Sequence, residues 1–278
     1  MKNYKIFAFA DEADKDFSGQ IAAMKENGLN GLEIRGVNGK NIKNVTIAEA
    51  KELKQQLDDN GLSVWAIGSP SGKIGVNDDF TPHFDEFKHM LELADILGAD
   101  NYRLFSFFIP KDEEASSYKD EVLERLNKFC EYAKGSGIVL CHENEKVIYG
   151  DIVNRCVEIH ENIPALKAVF DPANFIQCNE DTLKAFDRLK SYIHYMHIKD
   201  AKASGDVVAC GDGVGNIKQL IELYDGEVFS VEPHLTHFVG LSNLSQDGEE
   251  RGIGGYNFAS TREAFDYAII RFKEILEV

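Results

Sequence analysis

The segment IVLCHEN, residues 138–144, is a short apolar run that ends in polar side chains. The segment LKAVFDP, residues 166–172, repeats this pattern after an amphipathic stretch. Short runs rich in β-branched and aromatic residues, bounded by Gly, Asn, Asp or Pro, are typical of buried strands. Because a helical pattern separates them, the two segments predict neighbouring parallel strands joined by a helix.

The same alternation continues in both directions along the chain. The eight strand candidates are residues 5–10, 31–36, 62–68, 101–108, 138–144, 166–172, 192–199 and 228–233. Eight such units in 278 residues predict one (β/α)8 TIM barrel over residues 1–278, since these barrels typically span about 250 residues. A doubly wound open sheet, the main alternative, usually has about five or six strands.

Helical periodicity fills the intervals between the strand candidates. The helix candidates are residues 17–28, 46–61, 82–98, 115–135, 149–161, 180–190, 216–224 and 260–277. Gly28, Gly61 and Gly98 end the first three of these, as is common at helix C-termini. Thr46 and Glu49 have the spacing of a capping box and predict the start of the second helix.

The charge balance and the cysteines favour a cytoplasmic protein that does not bind nucleic acid. The chain has 30 basic and 47 acidic residues, a net charge of −17, which disfavours contact with phosphates. Its five cysteines include no CxxC motif, as expected in a reducing compartment. The apolar run at the N-terminus is too short for a signal peptide, and no segment is apolar enough to cross a membrane.

The last four strand candidates each carry a side chain that can bind a metal near the carboxyl end. These are Glu143 in CHENE, Asp171 in FDPAN, His197 in MHIKD and Glu232 in VEPH. The carboxyl ends of barrel strands form the active-site face, so we expect these side chains to converge. Buried unpaired carboxylates are costly. The pattern therefore predicts one divalent metal, and its three oxygen ligands and one nitrogen ligand suit Mn²⁺, Mg²⁺, Zn²⁺ or Co²⁺.

The motifs ENE, FDPAN, HIKD and VEP resemble those of the xylose isomerase-like superfamily of sugar isomerases and epimerases, and the resemblance covers the whole chain. That superfamily includes ketose 3-epimerases, hydroxypyruvate isomerases, inosose dehydratases and, more distantly, endonuclease IV. The resemblance implies that Glu143, Asp171, His197 and Glu232 hold the metal, and that Glu143 and Glu232 also move protons. It implies a sugar or sugar derivative as substrate, with a metal-stabilised enediolate formed by proton abstraction next to a carbonyl.

The sequence leaves several functions open. Isomerisation and epimerisation differ in where the proton is returned, and an inosose-type dehydratase on the same site is the alternative. A nuclease like endonuclease IV would need three metals and more histidines near strands two and three. Strand three ends in AIGSPSG, residues 66–72, which has no histidine. A non-catalytic sugar-binding barrel is the remaining alternative, and the intact set of four ligands disfavours it.

Six further residues are candidates for substrate binding: Glu33, Arg35, Trp65, Arg103, Asn174 and Lys199. Relatives often present a carboxylate to the substrate where Glu33 and Arg35 end strand two, although a structural ion pair is the alternative. Trp65 and Phe107 have aromatic faces that suit a sugar or the core equally well. Lys199 is placed either to hold the substrate or to position the metal-binding imidazole.

Two positions depart from the pattern of the relatives. Glu145 stands where many of them have a histidine after Glu-Asn, and Asn174 stands where some ketose epimerases have a histidine. Asn174 can still hydrogen-bond a substrate hydroxyl. The departures therefore leave the sugar undetermined but not the metal site.

Two loops on the expected active-site face are longer than the others, at residues 200–216 and 234–260. The first contains GDGVG, residues 211–215, which lacks the spacing of a dinucleotide motif and reads as a tight turn. A phosphate site there is the alternative. The second loop is a candidate lid or subunit contact, since dimers or tetramers are usual among the relatives.

Overall fold

The computed structural model describes residues 4–238 and 252–277, and within these ranges eight parallel strands close into a barrel. The strands are β1 Lys5–Ala8, β2 Gly31–Ile34, β3 Ser63–Gly68, β4 Asn101–Leu104, β5 Val139–Glu143, β6 Lys167–Phe170, β7 Ile193–Ile198 and β8 Val228–Val231. Strand β1 closes the barrel by pairing with β8, with Lys5 beside Val228 and Ala8 beside Val231. The predicted single TIM barrel is confirmed.

Helices follow the strands and surround the barrel. They are α1 Phe17–Glu26, α2 Ile47–Asp59, α3 Phe80–Leu97, α4 Lys119–Ala133, α5 Val153–Asn162, α6 Pro172–Gln177, α7 Thr182–Leu189, α8 Ile217–Leu223 and α9 Thr261–Leu276. Thr46 and Glu49 form the predicted capping box at α2. Gly98 ends α3 in the left-handed conformation, at a φ of 69°. The short helix α6 was not among the sequence predictions, because its six residues are too few for a helical period.

The fourth strand is shorter than its apolar sequence predicts. It ends at Leu104, after which the backbone of Phe105 and Phe107 donates hydrogen bonds to the carbonyls of Ser71 and Gly72, at 2.8 and 2.9 Å. Phe107 has a φ of 66°, which turns the chain away from the barrel. The segment after β4 therefore pairs with the loop that follows β3.

The interior of the barrel is filled by side chains from six strands: Phe7, Ala66, Cys141, Val169, Tyr195 and Val228. Trp65 and Val139 pack against this cluster. Among the described residues, no helix has the length and apolar character needed to span a membrane.

Candidate metal centre

Strand alternation brings the four predicted metal ligands together. Cys141, Val169 and Tyr195 lie in the barrel interior, and residues two positions later in a strand face the same side. Glu143 and His197 follow in this way on β5 and β7. Asp171 and Glu232 stand directly after β6 and β8. One ligand atom from each of these four side chains lies within 4.8 Å of the others, and all four side chains are buried.

The His197 imidazole directs one nitrogen into the cluster and the other away from it. Its Nδ1 lies 3.1 Å from Glu143 Oε1, 3.9 Å from Asp171 Oδ2 and 4.0 Å from Glu232 Oε2. Its Nε2 lies 3.0 Å from Glu33 Oε2. A carboxylate behind a histidine fixes the ring and the tautomer, which leaves the other nitrogen for a metal.

Glu33 is therefore placed behind His197, where it can orient the imidazole. Its side chain is fully buried, and its Oε1 accepts a 2.9 Å hydrogen bond from the Tyr195 hydroxyl. Burial opposes ionisation of Glu33, but His197 and Arg103 lower its pKa below the ordinary value. A charged carboxylate thus faces the outer nitrogen of the ring.

Asp171 joins the end of β6 to the start of α6. Its Oδ1 accepts a 2.9 Å hydrogen bond from the backbone N–H of Asn174, which caps the helix. Its Oδ2 is buried and accepts no well-aligned hydrogen bond, although Lys199 Nζ lies 2.8 Å away. Asn144 fixes the backbone here, since its side chain exchanges two 2.9 Å hydrogen bonds with the peptide groups of Asp171.

Glu143 is held by one cation and one amide. Arg103 Nε lies 3.2 Å from Glu143 Oε2, and Arg103 also donates to the carbonyl of Ser69 at 3.0 Å. The Asn174 amide donates to Glu143 Oε1 at 3.2 Å and to the Asn144 carbonyl at 2.9 Å. Arg103 and Asn174, predicted to bind substrate, are therefore in contact with a metal-ligand carboxylate.

Glu232 is held by a network of residues that follow the first and second strands. Arg35 Nη1 donates to Glu232 Oε1 at 2.9 Å. The same guanidinium donates to both oxygens of Asp11, at 2.9 and 3.0 Å, and to Glu12 at 3.1 Å. Arg35 thus contacts three buried carboxylates. Its guanidinium therefore has structural partners within the protein, in addition to its predicted role in substrate binding.

Lys199 places a positive charge beside two carboxylates of the cluster. Its ammonium lies 2.5 Å from Glu232 Oε2 and 2.8 Å from Asp171 Oδ2. Burial would raise the pKa of Glu232, but Lys199, His234 and Arg35 hold it well below its ordinary value. Burial raises the pKa of Asp171, and Lys199 opposes that rise only in part. His234 and Arg35 act on Glu232 as well, whereas the neighbouring carboxylates of Glu143 and Glu232 raise the pKa of Asp171 further.

The His197 imidazole responds to the same excess of negative charge. Burial would lower its pKa, but the carboxylates of Glu33 and Glu143 raise it to about 10. The negative charge of the carboxylates therefore favours a cation at the centre of the cluster, which all four side chains face. Three carboxylate oxygens and one imidazole nitrogen form a donor set that suits a divalent ion, and Asp171 Oδ2 supplies a buried oxygen without a well-aligned donor.

Trp65 is not brought to this cluster, contrary to its predicted role. Its ring stacks on Phe7 and on His194, with centroids 5.5 and 5.7 Å apart. His194 also contacts Asn101, the first residue of β4, at 2.8 Å. Trp65 therefore packs near the amino ends of the strands. Phe107 packs instead against Phe129 and Phe80 on the outer side.

Sequence reasoning missed Lys73, which the loop after β3 brings to Glu145. The two side chains are buried, with Lys73 Nζ 3.2 Å from Glu145 Oε2 and 4.2 Å from the centre of the Phe105 ring. Glu145 is the residue at which this sequence departs from the motif that the resemblance implies. Its buried cationic partner gives that departure a physical reason, since a buried carboxylate requires compensation.

The GDGVG turn binds an anion that the chain itself supplies. The Asp200 carboxylate accepts hydrogen bonds from the backbone N–H groups of Gly211, Gly213 and Gly215, at 3.0, 3.1 and 2.9 Å. A Cβ on Gly213 would lie 2.3 Å from Asp200 Oδ1, so this close approach requires glycine. The segment therefore forms a tight turn, as the sequence predicted. The backbone N–H groups that could bind a phosphate there donate to Asp200 instead.

A second group of possible ligands lies beside the first. Glu12, Glu232 and His234 also place ligand atoms within 4.8 Å of one another. The Arg35 guanidinium already contacts both carboxylates of this group. In the described parts of the chain, the two groups of possible ligands share Glu232, and the group of four offers more ligand atoms than the group of three.

The family model described as a xylose isomerase-like TIM barrel matches residues 21–243. The match covers most of the chain, which therefore belongs to the xylose isomerase-like TIM barrel family, and the resemblance inferred from the strand-end motifs is confirmed. No curated protein matched the sequence.

Solved structures of several enzymes share the fold over nearly the whole chain. An L-ribulose 3-epimerase superimposes with a TM-score of 0.76 at 17% identity, covering 100% of this chain and 95% of its own. The IOLI protein with a bound zinc atom gives 0.73 at 17%, covering 100% and 98%. The probable 3-DHS dehydratase AsbF from Bacillus anthracis, involved in petrobactin synthesis, gives 0.73 at 16%, covering 98% and 99%. At these identities the likeness establishes the fold.

Proposed function

We propose that this chain is a divalent-metal-dependent isomerase or epimerase of a sugar or sugar derivative. The observation that carries the proposal is the convergence of Glu143, Asp171, His197 and Glu232, with His197 Nδ1 facing the three carboxylates. The family and the fold support this class of function, and a neighbour that binds zinc supports a metal at such a site.

The four side chains would hold the ion, which when bound would polarise the substrate carbonyl and make the adjacent C–H more acidic. Glu143 and Glu232 supply the groups that accept and return the proton. Arg35 keeps Glu232 ionised, as a proton acceptor must be. Arg103 and Asn174 orient Glu143 through its two oxygens. Glu33 orients His197.

The candidate substrate-binding residues differ in how close they lie to the cluster. The six candidates were Glu33, Arg35, Trp65, Arg103, Asn174 and Lys199. Trp65 stacks on Phe7 and His194, and Glu33 is better placed to orient His197 than to contact a sugar. The other four lie at the cluster, in contact with its carboxylates. We propose that the sugar binds above them, and that the chain works as a cytoplasmic dimer or tetramer. Part of the candidate contact loop 234–260, residues 239–251, lies outside the described residues.

Hydrogen exchange tests the proposed chemistry independently of the final product. The Mg²⁺-loaded protein is incubated in D₂O with L-ribulose, with other ketoses and with an inosose, and deuterium next to the carbonyl is followed by NMR. We expect exchange in the wild type and a loss of about 100-fold or more in Glu143→Gln and in Glu232→Gln, because each removes a proton carrier.

The control is Glu86→Gln, which changes a half-exposed carboxylate paired with Lys43 on the outer surface and should leave exchange intact. Exchange retained in either active-site variant would remove that glutamate from the proposed acid–base pair. The products distinguish the candidate reactions, since epimers and isomers retain all hydroxyls whereas a dehydratase releases an unsaturated or dehydrated ketone.

A further inference from the structure

The oxygens that a metal would use already contact a cation of the chain. Lys199 Nζ lies 2.5 Å from Glu232 Oε2 and 2.8 Å from Asp171 Oδ2. These are also the oxygens that face His197 Nδ1, at 4.0 and 3.9 Å. The other oxygen of Glu232 is engaged by Arg35, and the other oxygen of Asp171 caps α6. The ammonium and a metal would therefore share the same two ligand atoms.

Two cations cannot use these oxygens at these distances without strong repulsion. A divalent ion binds carboxylate oxygens at about 2.0–2.2 Å, which would place it close to the ammonium. Like charges repel most strongly in a buried site of low dielectric, and Lys199 is 2% exposed. The lysine side chain has four flexible carbons, so it can move its charge while its backbone stays in place.

We propose that Lys199 is an internal cation that competes with the divalent metal for Asp171 and Glu232. In the metal-free protein its ammonium compensates two buried carboxylates. Metal binding displaces the ammonium from these oxygens and leaves it at the mouth of the site. The inference rests on the proposed metal centre, and it assigns to Lys199 an effect on metal affinity that a residue serving only to contact substrate would not have.

The competition predicts effects of opposite sign in the two forms of the protein. Replacing Lys199 with methionine leaves two carboxylates without this cation, so the metal-free variant should unfold at a lower temperature than the metal-free wild type. The same change removes the competitor, so the variant should bind Mn²⁺ more tightly by about tenfold or more. Mn²⁺ should therefore raise the unfolding temperature of the variant more than that of the wild type.

Isothermal titration of metal-stripped protein with Mn²⁺, together with thermal unfolding with and without Mn²⁺, tests the proposal. Lys199→Met is measured beside Lys199→Gln, which keeps a polar side chain if the methionine variant folds poorly. Lys73→Met is the matched control, because Lys73 is also a buried lysine at this face but pairs with Glu145. The control should keep an Mn²⁺ affinity within about threefold of wild type, since Lys73 pairs with Glu145, which is not one of the four proposed ligands.

Tighter Mn²⁺ binding by both Lys199 variants than by the wild type supports the competition. Equal or weaker binding would overturn it and would show that Lys199 orders the ligands. These measurements use no substrate. A protein that follows the predicted order of affinities but exchanges no substrate hydrogen would therefore contradict the proposed activity alone.

Discussion

The two glutamates proposed to move protons are held in different ways. Both oxygens of Glu232 contact cations, one from Arg35 and one from Lys199. One oxygen of Glu143 lies beside Arg103, while its other oxygen meets the Asn174 amide and the His197 ring. Both oxygens of Glu232 thus face a lysine or an arginine, whereas only one oxygen of Glu143 does.

The two arginines that contact these glutamates also differ in how many carboxylates they meet. Arg35 contacts Asp11 and Glu12 in addition to Glu232, and all three carboxylates are buried. Even with this cation, burial raises the pKa of Glu12 to about 8. Arg103 donates to a backbone carbonyl and lies near two carboxylates, Glu143 and Glu33. The comparison indicates that Arg35 serves three buried carboxylates on the Glu232 side, whereas Arg103 lies near two, Glu33 and Glu143.

The largest expected effect comes from removing those cations one at a time. Arg35→Met should lower the free energy of unfolding by about 4 kcal/mol, because it leaves several buried carboxylates without their shared partner. Arg103→Met should cost about 2 kcal/mol, since fewer groups lose a donor. Urea unfolding of the metal-stripped proteins measures both values.

Arg262→Met serves as the control, because Arg262 also pairs with two carboxylates, Glu26 and Asp266, but at the surface. Exposed pairs contribute little, so we expect a loss of about 1 kcal/mol or less. Equal losses in Arg35→Met and Arg103→Met would show that the two halves do not differ as their contacts indicate.

A smaller effect is expected behind the metal ligands. Glu33→Gln replaces the carboxylate that faces His197 Nε2 with a neutral amide, and should weaken Zn²⁺ binding by about 10- to 100-fold. Tyr195→Phe removes the hydroxyl that donates to Glu33 and should weaken binding less. Competition with a chelator gives both affinities. Unchanged affinity in Glu33→Gln would mean that this carboxylate does not orient the imidazole.

The convergence of the four predicted ligands was predictable from the sequence because strand ends of a parallel barrel share one face. The same rule applies to Asp11 and Glu12, which follow the first strand in FADE, and applying it there would have found them. What the sequence did not predict is how the charges pair. Arg35 meets Glu232 across 197 positions of the chain, and no local pattern specifies such a contact.

Asp171 and Asp200 show this limit most clearly. Each lies near the end of a neighbouring barrel strand, and both are buried. The Asp200 carboxylate is satisfied by backbone N–H groups of the glycine turn, whereas Asp171 Oδ2 faces His197 and Lys199. Residue type and position are the same, so only the three-dimensional donors distinguish a structural carboxylate from a metal ligand.

That contrast supplies the control for the most direct test of the metal centre. Metal content is measured by mass spectrometry after incubation with excess Mn²⁺ and brief washing, in wild type, in Asp171→Asn/His197→Ala and in Asp200→Asn. We expect about one equivalent in wild type and in Asp200→Asn, and none in the double variant, because four ligands of this type form a single closed set. No metal in the wild type, or equal metal in the double variant, would contradict the proposed site.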